Sequence, residues 1–510
     1  MNANMWVKFI LALIPIIWLI ISLGVLKLAA IKATVIGLLI TIFLAIFTFK
    51  LSPINTLAGA IEGVLMGLFP IVYVIIAALF TYNVTNQSGA IKVIQDLLSS
   101  ITTDKRILVL IIAWGFGGFL EAIAGFGTAV AIPAGILIAF GIEPIKASVI
   151  CLVANTTPTA FGAIGLPVIT LADVTQLDKI TLSTVITFEL LPLIVIIPFI
   201  LVCLEEGSIK AINGVFAITL VSGLAFALPQ IVVAHFVGPE LPAIVGAIMS
   251  IGLTVLMAKI RKQDTEAGQA SIEKHSLNEV LRAVSPFILV FSFVLLVSPL
   301  FSLINKFLNQ FLISFPIGNS TFKFAYLSSP GTLIILATFI GGLIQKVKLG
   351  ELGKILVNTI KGIGKTAITI CAIVGLAKVM GYAGMTSSLA VTFVALMGPF
   401  YPLVAPLIGA IGTFVTGSDT SANVLFGNLQ LSAAQTLGDN TIWVCGSNMV
   451  GATAGKMISP QSIAVATAAT GLEGKEGEIL KEALKWCGLY LVLICSYLYL
   501  IGLFLGMLHL

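Results

Sequence analysis

The sequence predicts an all-α polytopic membrane protein of two inverted repeats, each of five spans plus one re-entrant hairpin, with broken helices at mid-membrane and about 12 transmembrane helices in total. Three observations carry this reading: an apolar, charge-poor composition, a polar interruption that occurs twice, and basic residues sorted by loop. Of the 510 residues, 58% are hydrophobic and 10% charged, whereas a soluble domain carries about 25% charged residues. Apolar runs of about 17 to 25 residues cross the hydrocarbon of a bilayer as helix. Such runs fall near 7–26, 33–49, 61–82, 184–203, 211–228, 241–258, 285–304, 330–345 and 486–508. The first is long, is followed at once by another and lacks a small-residue cleavage site, so it reads as a retained helix rather than a secretion signal. Alternating stretches of about ten residues with polar faces, as membrane strands require, are absent, which argues against a barrel.

The interruption appears as Asn155-Thr-Thr-Pro-Thr-Ala-Phe-Gly162-Ala-Ile-Gly-Leu-Pro167 and again as Asn448-Met-Val-Gly-Ala-Thr-Ala-Gly455-Lys-Met-Ile-Ser-Pro460, with Asn, Gly and Pro at the same spacing. Each follows a polar, Gly-rich segment: Glu121-Ala-Ile-Ala-Gly-Phe-Gly-Thr128 in the first half and Gly417-Ser-Asp-Thr-Ser-Ala-Asn423 in the second. Paired breaks in corresponding positions of two halves are the best sequence pointer to a transporter's binding site.

Charge sorting orients the chain. The segment 259–284 holds Lys259, Arg261, Lys262, Lys274 and Arg282, and 346–365 holds Lys346, Lys348, Lys354, Lys361 and Lys365, whereas 229–240 holds no Lys or Arg. The positive-inside rule places the first two in the cytoplasm. Counting back puts Lys105, Arg106 and Lys146 inside, so the segment 107–142 must enter and return on the same side. The resulting division is 1–204 as inverted repeat 1 (hairpin about 107–142, broken helix about 147–175), 205–284 as a linking helical pair and cytoplasmic loop, and 285–510 as inverted repeat 2 (hairpin about 402–432, broken helix about 441–470). Irregular backbone at membrane depth is tolerated only where protein or a water-filled cavity surrounds it.

Two hairpin tips and two unwound helices aim helix ends and backbone N–H groups into one cavity, which favours a small carboxylate anion, with acids or carbonyls to hold a coupling cation or proton. Short polar groups there suit a carboxylate with a neighbouring hydroxyl, as in a 2-hydroxy acid. The substrate-binding candidates are Thr128, Asn155, Thr156, Thr157, Ser418, Thr420, Asn423, Asn448, Lys456 and Ser459, and the proton-coupling candidates are Asp419 and Glu121. Each charged group has a second reading. Asp419 serves coupling or caps the helix after the tip. Glu121 exchanges a proton or is a buried acid satisfied by backbone amides. Lys456 attracts the anion or pairs with Glu121 or Asp419. Glu62, Glu189 and Lys378 are expected near span ends, where long side chains snorkel.

Other chemistries lack support. Cys151, Cys203, Cys371, Cys445, Cys487 and Cys495 contain no CxxC pair and fall mostly within spans, which suits packing residues better than disulfides or zinc. His235, His275 and His509 are scattered, so neither a metal site nor a His-based triad is indicated. Gly455-Lys456-Met457 lacks the remainder of a phosphate-binding loop, which disfavours ATP-driven pumping. No enzyme signature stands out, no cofactor is called for, and the net charge of +5 needs no nucleic acid to explain it.

The segments Ala113-Trp-Gly-Phe-Gly-Gly-Phe-Leu-Glu-Ala-Ile-Ala-Gly-Phe-Gly-Thr128, Val415-Thr-Gly-Ser-Asp-Thr-Ser-Ala-Asn423 and Gly455-Lys-Met-Ile-Ser-Pro-Gln-Ser-Ile-Ala464 resemble those of the bacterial L-lactate permease family, over nearly the full length of the chain. The resemblance implies a multi-pass plasma (inner) membrane symporter that takes L-lactate, and often glycolate and D-lactate, together with a proton by alternating access. Around Glu121 the Ala122-Ile123-Ala124 stretch departs from the smaller residues expected in relatives. The implied partners are the small-molecule substrate, the proton and the lipid bilayer, with a homodimer left open. The rival reading is a sodium-coupled di- or tricarboxylate carrier. A receptor or membrane enzyme would need a soluble domain, and the longest loop is about 259–284.

Overall fold

The computed structural model describes residues 3–26, 28–99, 101–123, 125, 127–260, 275–297, 301–317, 320–472 and 475–509. The expected cytoplasmic bases Arg261, Lys262 and Lys274 lie outside the described residues, as do the hairpin-tip residues Ala124 and Phe126. Among the described residues, 12 helices are long and apolar enough to cross a membrane, from Met5–Ser22 to Glu476–Phe504.

The chain marks its helix ends with the residues that satisfy orphan backbone groups. Ser52, Asp104, Glu143, Asp178, Asn440 and Ser459 each accept a bond from a first-turn N–H with their side chains, as N-caps do. Pro follows directly in three of these cases, at Pro53, Pro144 and Pro460, where its missing N–H costs nothing.

Packing separates two groups of helices. In one, Ala30–Phe47 and Pro53–Met66 lie on Gly364–Tyr382, and Tyr73–Gln87 lies on Pro330–Ile344. In the other, the turn-and-break segments between residues 105 and 175 and between 401 and 470 pack on each other and on Lys179–Glu206, with Phe216–Phe236 and Pro242–Ile260 outside them. The tightest crossing in the second group joins Tyr401–Thr416 to Thr441–Ile458. There Gly451 faces the Pro406 carbonyl, Gly455 the Ala410 carbonyl and Gly409 the Asn448 carbonyl, each so closely that no Cβ fits. Small residues four apart let membrane helices approach at backbone distance.

The segment 105–141 begins and ends at one face, since the Lys105 ammonium donates to the Gly141 carbonyl at 2.7 Å. Arg106 bonds the Ala211 and Asn213 carbonyls and Lys146 the Glu205 carbonyl at that face. The second turn segment closes likewise: the Tyr401 hydroxyl donates to Gln430 Oε1 at 2.7 Å, and Gln430 donates to the Ala405 carbonyl.

Three details differ from expectation. The helical architecture carries an added antiparallel hairpin, Leu312–Ile317 with Ser320–Ala325, whose Phe324 ring lies 4.9 Å from Phe69. The second interruption is narrower than the first, because Thr441–Ile458 is continuous through Asn448 and breaks only at Ser459. Nothing in 448–458 obliges a break, since Gly, Ala and Thr are tolerated in buried helix and the Pro falls only at 460. Finally, Glu189 does not snorkel. It is 0% exposed, because its face of Lys179–Glu206 is covered by Thr441–Ile458. Lys378 pairs with Glu62 at 2.9 Å instead of reaching an interface.

Candidate functional site

The first break is built from Asn155 onward. Pro144–Ala154 stops at Asn155, a single tight turn spans Pro158–Phe161, and the next helix begins through Ala163, Ile164 and Gly165, all at positive φ (44°, 58° and 75°). Two non-glycine residues in the left-handed region cost roughly 1–2 kcal/mol each. Strain of this kind persists only where its surroundings impose it, and it clusters at functional sites. Gly165 lies against the Pro239 carbonyl, which holds the turn.

Both Gly-rich tips come to the breaks. Gly125 neighbours Ala163, Gly127 neighbours Val465 after the second break, and Gly417 neighbours Gln461. Four helix starts therefore converge: Thr128–Ala139, Asp419–Leu437, the helix following the first break, and Pro460–Thr470. Helix N-termini carry partial positive charge and unsatisfied N–H groups, so their convergence favours an anion.

Two buried acids and one base share this place. Glu121 accepts from the Thr159 hydroxyl at 3.1 Å through Oε1, while Oε2 has no hydrogen-bond partner among the described residues. No backbone amide among the described residues satisfies it. A Cβ at Gly162 would stand 2.7 Å from Glu121 Oε1, so glycine there makes room for the carboxyl. Asp419 is buried in the first turn of its helix, but the cap is Ser418, whose hydroxyl accepts from the Ser421 N–H. Thr159 and Thr413 lie within interaction reach of the Asp419 carboxyl, yet neither closes a hydrogen bond and both its oxygens remain unpaired. Lys456 donates to the Gly417 carbonyl at 3.0 Å and acts electrostatically on both acids.

The remaining predicted residues divide by what their polar atoms do. Asn155 Oδ1 and Thr157 Oγ1 are buried without a hydrogen-bond partner among the described residues, and the Asn155 amide neighbours Glu121. Thr420 is half-buried beside Asp419. The hydroxyls of Thr128 and Thr156 bond the Gly125 and Val153 carbonyls, and Ser459 caps its helix and bonds Ser462. Asn423 and Asn448 are fully engaged with protein: Gln430 donates to Asn448, Asn448 to Asn423, and Asn423 to the Pro167 carbonyl at 3.0 Å. That last bond ties the second turn segment to the first broken helix. Sequence reasoning missed Thr159, Thr413 and Gln430. Thr159 stood inside the quoted motif, but nothing in the spacing distinguished it from Thr156 or Thr157.

Asn423→Ala strands the Asn448 amide, at a cost of about 1–3 kcal/mol for a buried orphan, and removes the tie to the Pro167 carbonyl. The expected result is a lower thermal midpoint of the detergent-purified protein, with a smaller change in apparent substrate affinity. An unchanged midpoint would mean that the bond contributes nothing.

The comparisons with known proteins agree with one another. The family model for L-lactate permease matches residues 8–505. An L-lactate permease of Streptococcus iniae is 52% identical over 439 residues, covering 85% of this chain and 92% of that relative. The glycolate permease GlcA of Escherichia coli (strain K12) is 36% identical over 518 residues, covering 93% and 92%. An L-lactate permease of Bacillus subtilis (strain 168) is 33% identical over 546 residues, covering 98% and 96%. In fold, the chain resembles the solved structure of MtrF from Neisseria gonorrhoeae with a TM-score of 0.51 at 12% identity, over 91% of this chain and 94% of that one.

Proposed function

Because this chain belongs to the L-lactate permease family, we propose that it is a secondary transporter importing L-lactate, with glycolate and D-lactate as related cargo, by proton symport with alternating access. It is a multi-pass protein of the plasma membrane and carries small molecules of the lactate and glycolate class. The observation that carries the proton reading is the pair of buried acids, Glu121 and Asp419, with unpaired oxygens beside a single Lys456 at converging helix starts.

Charge bookkeeping supplies the coupling. Lys456 and one ionised carboxyl leave the site neutral. A bound lactate then adds one negative charge, and moving an uncompensated buried charge costs several kcal/mol. Protonation of that ionised carboxyl, with the other acid already neutral, leaves Lys456 to balance the lactate and removes the penalty, so anion and proton move together. Asn155, Thr157 and Thr420 supply the polar contacts for the carboxylate and the 2-hydroxyl, while Thr128, Thr156, Ser418 and Ser459 hold the turns in place. Asn423 and Asn448 position the first broken helix against the second half. The turn-and-break segments form the moving bundle, and the helices around Pro53–Met66 and Gly364–Tyr382 form the scaffold.

Radiolabelled L-lactate uptake into proteoliposomes tests this reading. Accumulation should follow an inward proton gradient, ignore a sodium gradient and be competed by glycolate and D-lactate. Sodium-driven uptake competed by di- or tricarboxylates would replace it with the sodium-coupled alternative.

A further inference from the structure

Glu189 has no part in the site described above. It lies inside Lys179–Glu206, is 0% exposed, and neither carboxyl oxygen closes a hydrogen bond among the described residues. The slot that receives it is made by Gly446 of the facing helix, where a Cβ would stand 2.5 Å from Glu189 Oε2 and 3.0 Å from its Cδ. Ser447 flanks the slot, but its hydroxyl donates to the Trp443 carbonyl at 3.0 Å. The titratable groups that face Glu189 are the Cys445 thiol and the Tyr497 phenol. Neither Lys456, Glu121 nor Asp419 acts on it, and no Lys or Arg does among the described residues.

An ionised carboxylate in that slot, with no cation and only the Ser447 hydroxyl within reach among the described residues, costs several kcal/mol. The neutral acid does not. An acid kept without a charged partner gains nothing for packing that a Gln or Leu could not supply, and an intramembrane ionisable residue is a functional-site hypothesis by default. The slot is on the helix that carries Asn448 and Lys456, so any displacement of that helix against Lys179–Glu206 opens or closes it.

We propose that Glu189 is a second proton-carrying residue of the transport cycle, occluded between Lys179–Glu206 and Gly446 in this conformation and exchanging its proton with water when the two helices part. The step is the ionisation of a carboxylic acid: the proton is taken from water on one side of the membrane and returned to water on the other. This inference rests on the proton-symport reading above and adds a site to it.

The test compares wild type, Glu189→Gln and Glu189→Asp in proteoliposomes, measuring lactate counterflow, proton-driven accumulation and the pH profile of each. Glu189→Gln should retain counterflow, which moves no net proton, while accumulation falls at least tenfold; Glu189→Asp should restore accumulation with a displaced pH profile. Wild-type accumulation and pH profile in Glu189→Gln would overturn the proposal, as would equal loss of counterflow and accumulation in a folded Gln variant. If the Gln variant does not fold, Glu189→Asp decides, because a wild-type pH profile there would also overturn it. Absence of lactate counterflow in the wild type would instead sink the functional reading on which the proposal stands.

Discussion

Asp419→Asn is expected to abolish concentrative lactate uptake, lowering proton-driven accumulation by about a hundredfold, the equivalent of about 2.8 kcal/mol of coupling, while lactate exchange persists. The reason is local. Asp419 stands at the start of a helix, beside Thr159 and Thr413, with both oxygens unpaired and Lys456 as its cation. The amide keeps the shape but can neither take nor release a proton. Because Ser418 caps the helix, the substitution leaves the turn intact, and the variant should reach wild-type abundance. Full pH-driven accumulation by Asp419→Asn would remove this residue from the mechanism and leave Glu121 as the acid to test next, by Glu121→Gln in the same assay.

The second large effect belongs to packing. Gly455→Leu, or Gly451→Leu, should yield little folded protein, visible as loss of the monodisperse peak in fluorescence-detected size exclusion. Overpacking in a tight core costs roughly 1–3 kcal/mol when side chains can shift. Here the obstacles are the Ala410 and Pro406 carbonyls of the crossing helix, which cannot shift without separating Tyr401–Thr416 from Thr441–Ile458. Gly353→Ala is the control, since nothing lies within 4 Å of a Cβ there. Normal yield from both leucine variants would mean that the two helices do not need their close approach.

Much of this was legible along the chain. The turn at Gly417 and the tip around Gly125 and Gly127 fall where polar, Gly-rich segments interrupt oily ones. The family was legible for the same reason, since its motifs are these interruptions. The Leu312–Ala325 hairpin was passed over because its six-residue strands are far shorter than a span. Its signal was the Gly318-Asn319 dipeptide between two alternating runs, which favours a two-residue turn. Those two residues lie outside the described residues. The narrowness of the second break was not legible, because Asn448, Gly455 and Pro460 repeat the spacing of the first break without its Thr-Thr-Pro turn.

The sequence by itself determined the membrane class, the roughly dozen spans and the kinship, because in a helical membrane protein lipid-facing chain must be continuous apolar helix, which makes every exception conspicuous. Tertiary structure alone decided which polar atoms are free. Asn423 is committed to a carbonyl 256 residues away, and Glu189 lies against a glycine of another helix with no charged partner among the described residues. Hydrogen-bond partnership depends on contacts between distant segments, and local pattern holds no record of them.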